Sequence, residues 1–313
     1  MTGESFEVVV IGGGPAGLSA ALNLVRARRR VLVIDSNRPR NAATLKARGF
    51  LTRDGIPPLE LRRLGRDEVE AYDNGEVAFA QAQSVEFSDA GFHIRAKGVR
   101  GSADLDVLAE TLVIATGLTE TLPDVPSIRA YYGTQLHSCV ECDGFEKADA
   151  PLALIGETDD LAERALLLTQ WSKDLIVFTN QAGTVTADEE RTLARLGVQV
   201  ERRQIDDLTG ERGVMTGVRL VDGTEIPRVG GFVRPVWTPS LAFATGLDLD
   251  ADDDGFLLTD SQGRTSIPGV YAAGESTPPG PQQLIVAAGA GAVVAAAVNR
   301  DLIGVATDQD ATV

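Results

Sequence analysis

Residues 7–35 constrain the fold of this chain more than any other segment. They read EVVVIGGGPAGLSAALNLVRARRRVLVID, which is an apolar strand, a glycine-rich turn, a helical pattern and a second apolar strand. The turn fits G-x-G-x-x-G, with glycine at positions 12, 14 and 17. Such a unit is typical of an open, mainly parallel α/β sheet that binds a dinucleotide.

Each part of this unit has a physical task in holding a dinucleotide. Gly12 allows the tight turn, Gly14 lets the backbone approach a diphosphate, and Gly17 lets the helix pack on the strand. The helix N-terminus supplies free N–H groups and partial positive charge for the anion. Asp35 ends the second strand, where an acid accepts hydrogen bonds from an adenosine ribose. We therefore expect a dinucleotide at this turn.

The same unit occurs a second time in the chain. Residues 7–35 can be laid on residues 151–179 without a gap, and Gly12 then falls on Gly156. A repeated unit predicts two domains of similar fold. The other key positions differ, with Thr158 for Gly14, Leu161 for Gly17 and Thr179 for Asp35.

The second turn carries carboxylates where a phosphate binder needs glycines. Glu157, Asp159 and Asp160 would repel a diphosphate, and each like charge near a surface site costs on the order of 1 kcal/mol. The same carboxylates can cap a helix N-terminus. The following segment has no basic residue before Arg191 that could bind a 2′-phosphate. We expect the second unit to have kept its fold and to have lost or weakened a nicotinamide site.

Composition and charge exclude several classes of protein. The chain has 313 residues and a formal net charge of −16, which disfavours nucleic acids and anionic membrane surfaces as partners. The first strand follows Met1 so closely that no signal peptide is expected. The longest apolar stretch, residues 284–298, is short for a membrane span. These features favour a cytoplasmic protein.

The only two cysteines, Cys139 and Cys142, form one C-x-x-C. With His93 and His137 as the only histidines, a four-ligand zinc site is not expected. The spacing favours a redox dithiol over two unrelated buried thiols. His137, two residues before Cys139, is interpreted as structural, with a role as a base or thiolate stabiliser as the alternative.

The chain resembles the low-molecular-weight thioredoxin reductases over nearly its whole length. GGGPAG, TLVIATG, CVECDGF and GVYAAGE…PQQLIVAAGAGAVVAAAV carry the resemblance, in the order found in that family. It implies an α/β fold with two Rossmann-like, three-layer ββα domains, the second inserted in the first. The FAD-binding domain would comprise residues 1–120 and 241–313, and the inserted domain residues 121–240.

The resemblance also implies roles for individual residues. Cys142 would lie against the flavin, Cys139 would exchange with a substrate disulfide, and Asp143 would be the acid/base beside them. Glu275 replaces the usual Asp, and Gln282 stands where the family has Arg. No metal is implied, and the FAD-contacting set comprises Gly12, Gly14, Pro15, Ala16, Gly17, Asp35, Ser36, Asn41, Val85, Ala115, Thr116, Gly117, Gly274, Glu275, Gln282, Gln283 and Leu284.

Three functions are compatible with these features. The first is a thioredoxin-reductase-like homodimer that acts on a thioredoxin-like protein or a small disulfide, with ferredoxin or another donor replacing NADPH. The second is a dithiol oxidase that passes electrons to oxygen. RNAATLKARGFLTRDGIPP and ALLLTQWS resemble the relatives that include the dithiol oxidases of the gliotoxin and holomycin pathways, which typically have His where this chain has Asp143. The third is a non-catalytic flavoprotein, against which the intact C-x-x-C argues.

Overall fold

The computed structural model describes residues 4–89, 91–278 and 280–305, and they divide into two compact units. The first unit contains the segment ending at Arg40, the segment Gly49–Thr119 and the segment beginning at Thr238. The second unit contains Asn41–Arg48 and Glu120–Trp237. The chain therefore enters the second unit twice, first for residues 41–48 and then for residues 120–237, and returns to the first unit each time.

The strands are β1 Glu4–Ile11, β2 Val31–Ile34, β3 Gly75–Ala78, β4 Ala80–Ser88, β5 Gly91–Gly98, β6 Leu105–Ile114, β7 Leu118–Thr121, β8 Leu136–His137, β9 Leu152–Gly156, β10 Leu175–Phe178, β11 Gln199–Glu201, β12 Ile205–Glu211, β13 Val214–Leu220, β14 Glu225–Pro227, β15 Gly230–Arg234, β16 Val236–Pro239 and β17 Val270–Ala272. The helices are α1 Pro15–Arg26, α2 Pro58–Glu70, α3 Ile128–Tyr131, α4 Val140–Asp143, α5 Leu161–Leu168, α6 Ala187–Arg195 and α7 Leu284–Leu302.

The first unit has three layers around one sheet. Its strands lie in the order β3-β2-β1-β6-β5-β4, and β17 also pairs with β6. Successive side chains of a strand point to opposite faces. Val8 and Val10 of β1 accordingly pack with residues of α1, α2 and α7, whereas Val9 and Ile11 pack with β4 and β5. Each fully buried Val or Ile contributes about 1.5–3 kcal/mol to folding, so this alternation fixes the layers.

The second unit repeats the arrangement on a smaller scale. Its parallel sheet has the order β11-β10-β9-β15-β8, and β12, β13 and β14 form a separate antiparallel sheet. Leu152 and Leu154 of β9 pack with residues of α5 and α6. Ala153 and Ile155 pack with residues of β12 and β13. The predicted fold class, two three-layer α/β units with one inserted in the other, is confirmed.

The structure refines the limits of the repeat. When residues 7–35 are laid on 151–179, β2 falls on β10 end to end, whereas α5 begins two residues later than the counterpart of α1 would. The unit boundaries lie at Thr119/Glu120 and Trp237/Thr238, close to the predicted 120/121 and 240/241. The short segment Asn41–Arg48 belongs to the second unit, which the sequence does not indicate. The connecting strands β7 and β16 pair with each other.

Helix α7 is longer than the apolar stretch read from the sequence. It has 19 residues, and an 18-residue window within it has a mean hydropathy of 1.4, so by length and composition alone it could cross a membrane. One such helix is weak evidence, because a core helix of a soluble protein passes the same test. A Cβ at Gly291 would lie 2.0 Å from the backbone oxygen of Ala16, so α7 packs directly on α1.

Gly291→Ala is expected to destabilise the protein by about 1–3 kcal/mol, because the added methyl group overpacks the contact between α7 and α1. Gly289 is the matched control, since nothing lies within 4 Å of the position of its Cβ. Gly289→Ala should stabilise the helix by about 0.5–1 kcal/mol. Denaturant unfolding of both variants measures the difference, and equal unfolding free energies would contradict the described packing.

Candidate active site

The first glycine-rich turn has the geometry that its sequence predicts. Gly12 has φ +116°, and a Cβ there would lie 2.2 Å from the carbonyl oxygen of Ala115. A Cβ at Gly17 would lie 1.9 Å from the carbonyl oxygen of Gly12. Nothing lies within 4 Å of the position of a Gly14 Cβ. Gly12 and Gly17 are thus required by packing, and Gly14 leaves the backbone open to a ligand.

No side chain of the described residues binds the N–H groups at the start of α1. No side chain caps the helix at Gly14, the first turn carries no acidic residue, and Pro15 begins the helix. The first N–H groups of a helix have no partner within the helix, and they bind anions. This end of α1 therefore suits the diphosphate of a dinucleotide.

The two ends of the first unit's sequence meet at this turn. Gly274 has φ +71°, and a Cβ there would lie 2.8 Å from the Cβ of Ala16. The backbone N–H of Gly117 donates to Ser276 Oγ at 3.1 Å, and Thr116 Oγ1 lies 3.4 Å from the same oxygen. The predicted groups around positions 12–17, 115–117 and 274–275 are therefore brought together.

Glu275 and Gln282 occupy different environments beside this cluster. Glu275 forms an ion pair with Arg40. The amide nitrogen of Gln282 is buried and has no hydrogen-bond partner within the described chain. Gln283 precedes the first residue of α7, Leu284, and no side chain caps that helix. A buried donor without a partner is costly unless a ligand accepts its hydrogen bond, so the residues present fit FAD.

Asp35 is placed as predicted but has a protein partner that the sequence did not indicate. It lies at the end of β2, is 3% exposed, and accepts a hydrogen bond from Arg62 Nη2 at 2.6 Å. Arg62 Nε also donates to the carbonyl oxygen of Gly13 at 3.0 Å. Arg62 thus ties Asp35 to the glycine turn. Contact between Asp35 and a ribose stays a prediction.

Three other predicted FAD contacts have different placements. Ser36 is half-buried directly after Asp35. Asn41 lies in a 3₁₀ turn within the segment that belongs to the second unit. Val85 is 1% exposed and belongs to the core cluster that also contains residues of β1 and β5. Ala80, five residues earlier, donates its N–H to the carbonyl oxygen of Asp35. At 3.3 Å a residue, Val85 is about 16 Å further along β4, so the structure does not bring it to this cluster.

The C-x-x-C forms a disulfide at the start of α4. The Cα atoms of Cys139 and Cys142 are 5.3 Å apart, and the backbone N–H of Cys142 donates to Cys139 Sγ at 3.2 Å. Both cysteines are half-buried. A donor aimed at a sulfur favours its thiolate form, so Cys139 has the environment of a reactive cysteine.

Asp143 and His137 lie side by side next to this disulfide. His137 Nε2 is 3.6 Å from Asp143 Oδ1. Burial raises the pKa of Asp143 to about 6, although the charge of Lys147 opposes the shift. Burial and the charge of Lys147 lower the pKa of His137 to about 4. At neutral pH the histidine is therefore neutral, and Asp143 titrates in the range useful for acid–base chemistry.

The turn after β9, which corresponds to the first glycine-rich turn, is filled by side chains of the second unit. Asp160 Oδ2 accepts hydrogen bonds from Arg234 Nε at 2.6 Å and from Arg164 Nε at 3.0 Å. Thr158 Oγ1 donates to Asp160 Oδ1 at 2.6 Å. The expectation that these carboxylates cap α5 is wrong for Asp160, because it makes no side-chain cap and pairs with the two arginines instead.

A loop also covers this turn. The N–H of Thr184 donates to the carbonyl oxygen of Thr158 at 3.1 Å. A Cβ at Gly183 would lie 2.7 Å from Leu161 Cδ1 and 2.9 Å from the carbonyl oxygen of Gly156. Leu161, which replaces the third glycine, is fully buried. The loop after β10 thus packs where the first unit leaves its turn open. No group of three metal-ligating side chains occurs among the residues that the structure describes.

Gly14→Val is expected to yield a folded protein with less than about a tenth of the parent's FAD. The Cβ of the new side chain has open space around it, but the side chain covers the N–H groups that would face a diphosphate. Absorbance near 450 nm measures the flavin, and circular dichroism measures folding. The parent should carry about one FAD per chain. Gly289→Val is the control, and a yellow Gly14→Val protein would contradict this assignment.

Comparison with known proteins agrees with this geometry. The family model for pyridine nucleotide-disulphide oxidoreductase matches residues 6–291. The crystal structure of HlmI has a TM-score of 0.89 at 37% identity, with 97% of this chain and 95% of that chain covered. The thioredoxin reductase-type protein TrxB of Bacillus anthracis has a TM-score of 0.88 at 35% identity, covering 96% and 99%. Thioredoxin reductase of Escherichia coli O157:H7 is 27% identical over 97% of this chain and 98% of its own length. The chain belongs to the pyridine nucleotide-disulphide oxidoreductase family and is an FAD-dependent disulfide oxidoreductase of the thioredoxin reductase type.

Proposed function

We propose that this protein moves electrons between FAD and a partner dithiol or disulfide through Cys139 and Cys142, and that NADPH is not its normal donor. The observation that carries this proposal is the contrast between the two turns. The turn at Gly14 is open to a diphosphate, whereas its counterpart holds the Asp160 carboxylate between two arginines. FAD would be held by the first unit, and the second unit would supply the dithiol.

The dithiol chemistry follows from the residues around the disulfide. When bound, FAD supplies a two-electron acceptor or donor for the dithiol. A thiolate of the partner attacks Cys139 and forms a mixed disulfide, and Cys142 leaves as a thiolate. The second partner thiol then attacks the mixed disulfide, which releases the oxidised partner and leaves both cysteines reduced. Asp143, buried beside the pair, takes the proton from the entering thiol and returns it in the reverse direction.

In the favoured form of this proposal the protein is a disulfide reductase whose electrons come from a donor other than NADPH. Ferredoxin or another redox protein would fill that place. The C-x-x-C-D-G match to thioredoxin reductases supports this direction, and a thioredoxin-like protein or a small disulfide would be the substrate. We further propose that the protein acts in the cytoplasm as a homodimer.

The filled turn after β9 also supports a second candidate function, that of a dithiol oxidase. If no nicotinamide supplies electrons, a small dithiol that enters at Cys139 can supply them, and oxygen would accept them. The segments that resemble dithiol oxidases support this direction, whereas Asp143 in place of their usual His supports the reductase. The relative potentials of the partners decide the direction, since about 30 mV corresponds to 1.4 kcal/mol for two electrons.

Anaerobic stopped-flow absorbance tests the proposed donor. NADPH and NADH, at about 1 µM–1 mM where cofactor KM values usually lie, should reduce the flavin poorly, because the second turn is filled. Dithiothreitol or reduced ferredoxin should reduce it faster. Cys142→Ser is the control, since dithiothreitol should not reduce the flavin without that cysteine. Fast, saturable reduction by micromolar NADPH would overturn the proposal, and oxygen uptake with a dithiol would select the oxidase.

The rate of flavin reduction by dithiothreitol should rise with pH through about 6. The entering thiol needs the ionised form of Asp143 as its base, and that form dominates only above the raised pKa of this carboxyl. Asp143→Asn should remove the inflection and lower the rate at pH 7 by about 10²-fold. Glu141→Gln removes an exposed charge between the cysteines and should keep the inflection. An inflection near pH 6 in Asp143→Asn would contradict this role.

A further inference from the structure

The arginine pair at the second turn lies where an open α/β sheet binds its ligand. The sheet order β11-β10-β9-β15-β8 places β10 on one side of β9 and β15 on the other. The crevice at the carboxyl ends of β9 and β15 is therefore the topological switch point. Asp160 follows β9, and Arg234, the last residue of β15, is paired in register with Gly156. The ion pair thus closes this crevice.

The two arginines are held as a preformed fork. Arg234 stacks on Trp237 with its guanidinium carbon 3.9 Å from the ring centroid, and Arg164 lies 5.1 Å from the same ring. Their side chains are 17% and 21% exposed. An ordinary surface ion pair joins two mobile side chains and contributes little. Here both guanidinium groups are oriented by the ring and meet one carboxylate oxygen.

One carboxylate, that of Asp160, joins the two arginines. Burial raises the pKa of Asp160, but hydrogen bonds from Thr158, Arg234 and Arg164 outweigh that effect and leave the pKa lowered. Asp160 is therefore ionised at neutral pH. Without it, the two guanidinium groups would lose the carboxylate that joins them, and the charge of Glu141 would act on Arg164 alone. An anion that entered would then take the place of that carboxylate.

We infer that Arg164 and Arg234 form an anion site of the diphosphate class, which the chain keeps closed with the carboxylate of Asp160 as an internal anion. This inference rests on the proposed function and deepens it, because the nicotinamide site is then occupied by the protein and is not simply lost. Arg164 and Arg234 converge on one oxygen of Asp160. Guanidinium groups donate to a phosphate oxygen in the same way.

Calorimetric titration of the FAD-loaded full chain with inorganic pyrophosphate tests the site. Asp160→Asn should bind pyrophosphate at least tenfold more tightly than the parent, because it removes the internal anion and keeps the shape of the side chain. Asp159→Asn is the matched control, since it removes one exposed charge from the same turn and leaves the arginines paired. Arg234→Gln added to Asp160→Asn should abolish the gain. Equal affinities in Asp160→Asn and Asp159→Asn would overturn the inference.

A second measurement covers the case in which Asp160→Asn does not fold. Arg234→Gln/Asp160→Asn should then fold and melt close to Arg234→Gln, because the loss of the carboxylate costs less once Arg234 is absent. A double variant that is also unfolded, while Arg234→Gln alone folds, would overturn the inference. The proposed function fails separately, if NADPH rapidly reduces the flavin of the parent protein.

Discussion

A diphosphate can approach the start of a helix only where no side chain stands in front of the backbone N–H groups. This steric condition separates the two halves of the molecule. At Gly14 the space beside the backbone is open, and α1 begins with no side-chain cap. At Thr158 and Leu161 side chains fill the corresponding space. The rest of each unit can be the same, since layers and strand order do not depend on these few atoms.

The second unit shows that the fold and the ligand site are separately maintained. Its sheet keeps apolar residues on both faces, and each face has its own core cluster. That burial supplies the stability of the unit, so the turn was free to change. The site can be closed by a few polar side chains at one edge of the sheet.

Much of the fold was predictable because it depends on local pattern. The alignment of the two repeats matched β2 with β10 from their apolar runs alone. The glycine spacing indicated which turn approaches a ligand. The partners of the acidic residues were not predictable in this way. Arg234 is 74 residues from Asp160, and Arg62 is 27 residues from Asp35. Only the sheet order and the packing of α2 bring these charges together, and a single sequence carries no signal for either.

The candidate site was likewise predictable only in part. The spacing of the glycines and of the two cysteines is a local sequence signal, so the first turn and the disulfide lie as expected. Val85 is paired with Ile94 of β5, and its apolar side chain belongs to the core. His137 was interpreted as structural, yet its ring lies against Asp143, because β8 delivers it to the side of α4 that carries the acid.

The stacking of Arg234 on Trp237 has a consequence for how this protein can be observed. The chain has only two tryptophans. Trp237 lies at the closed turn, and Trp171 packs so tightly on Gly144 that a Cβ there would lie 2.7 Å from the ring. Gly144 directly follows the C-x-x-C-D segment. The dithiol segment and the turn after β9 therefore each have a tryptophan beside them. Single Trp→Phe replacements would separate the fluorescence of the tryptophan near the dithiol from that of the tryptophan at the turn.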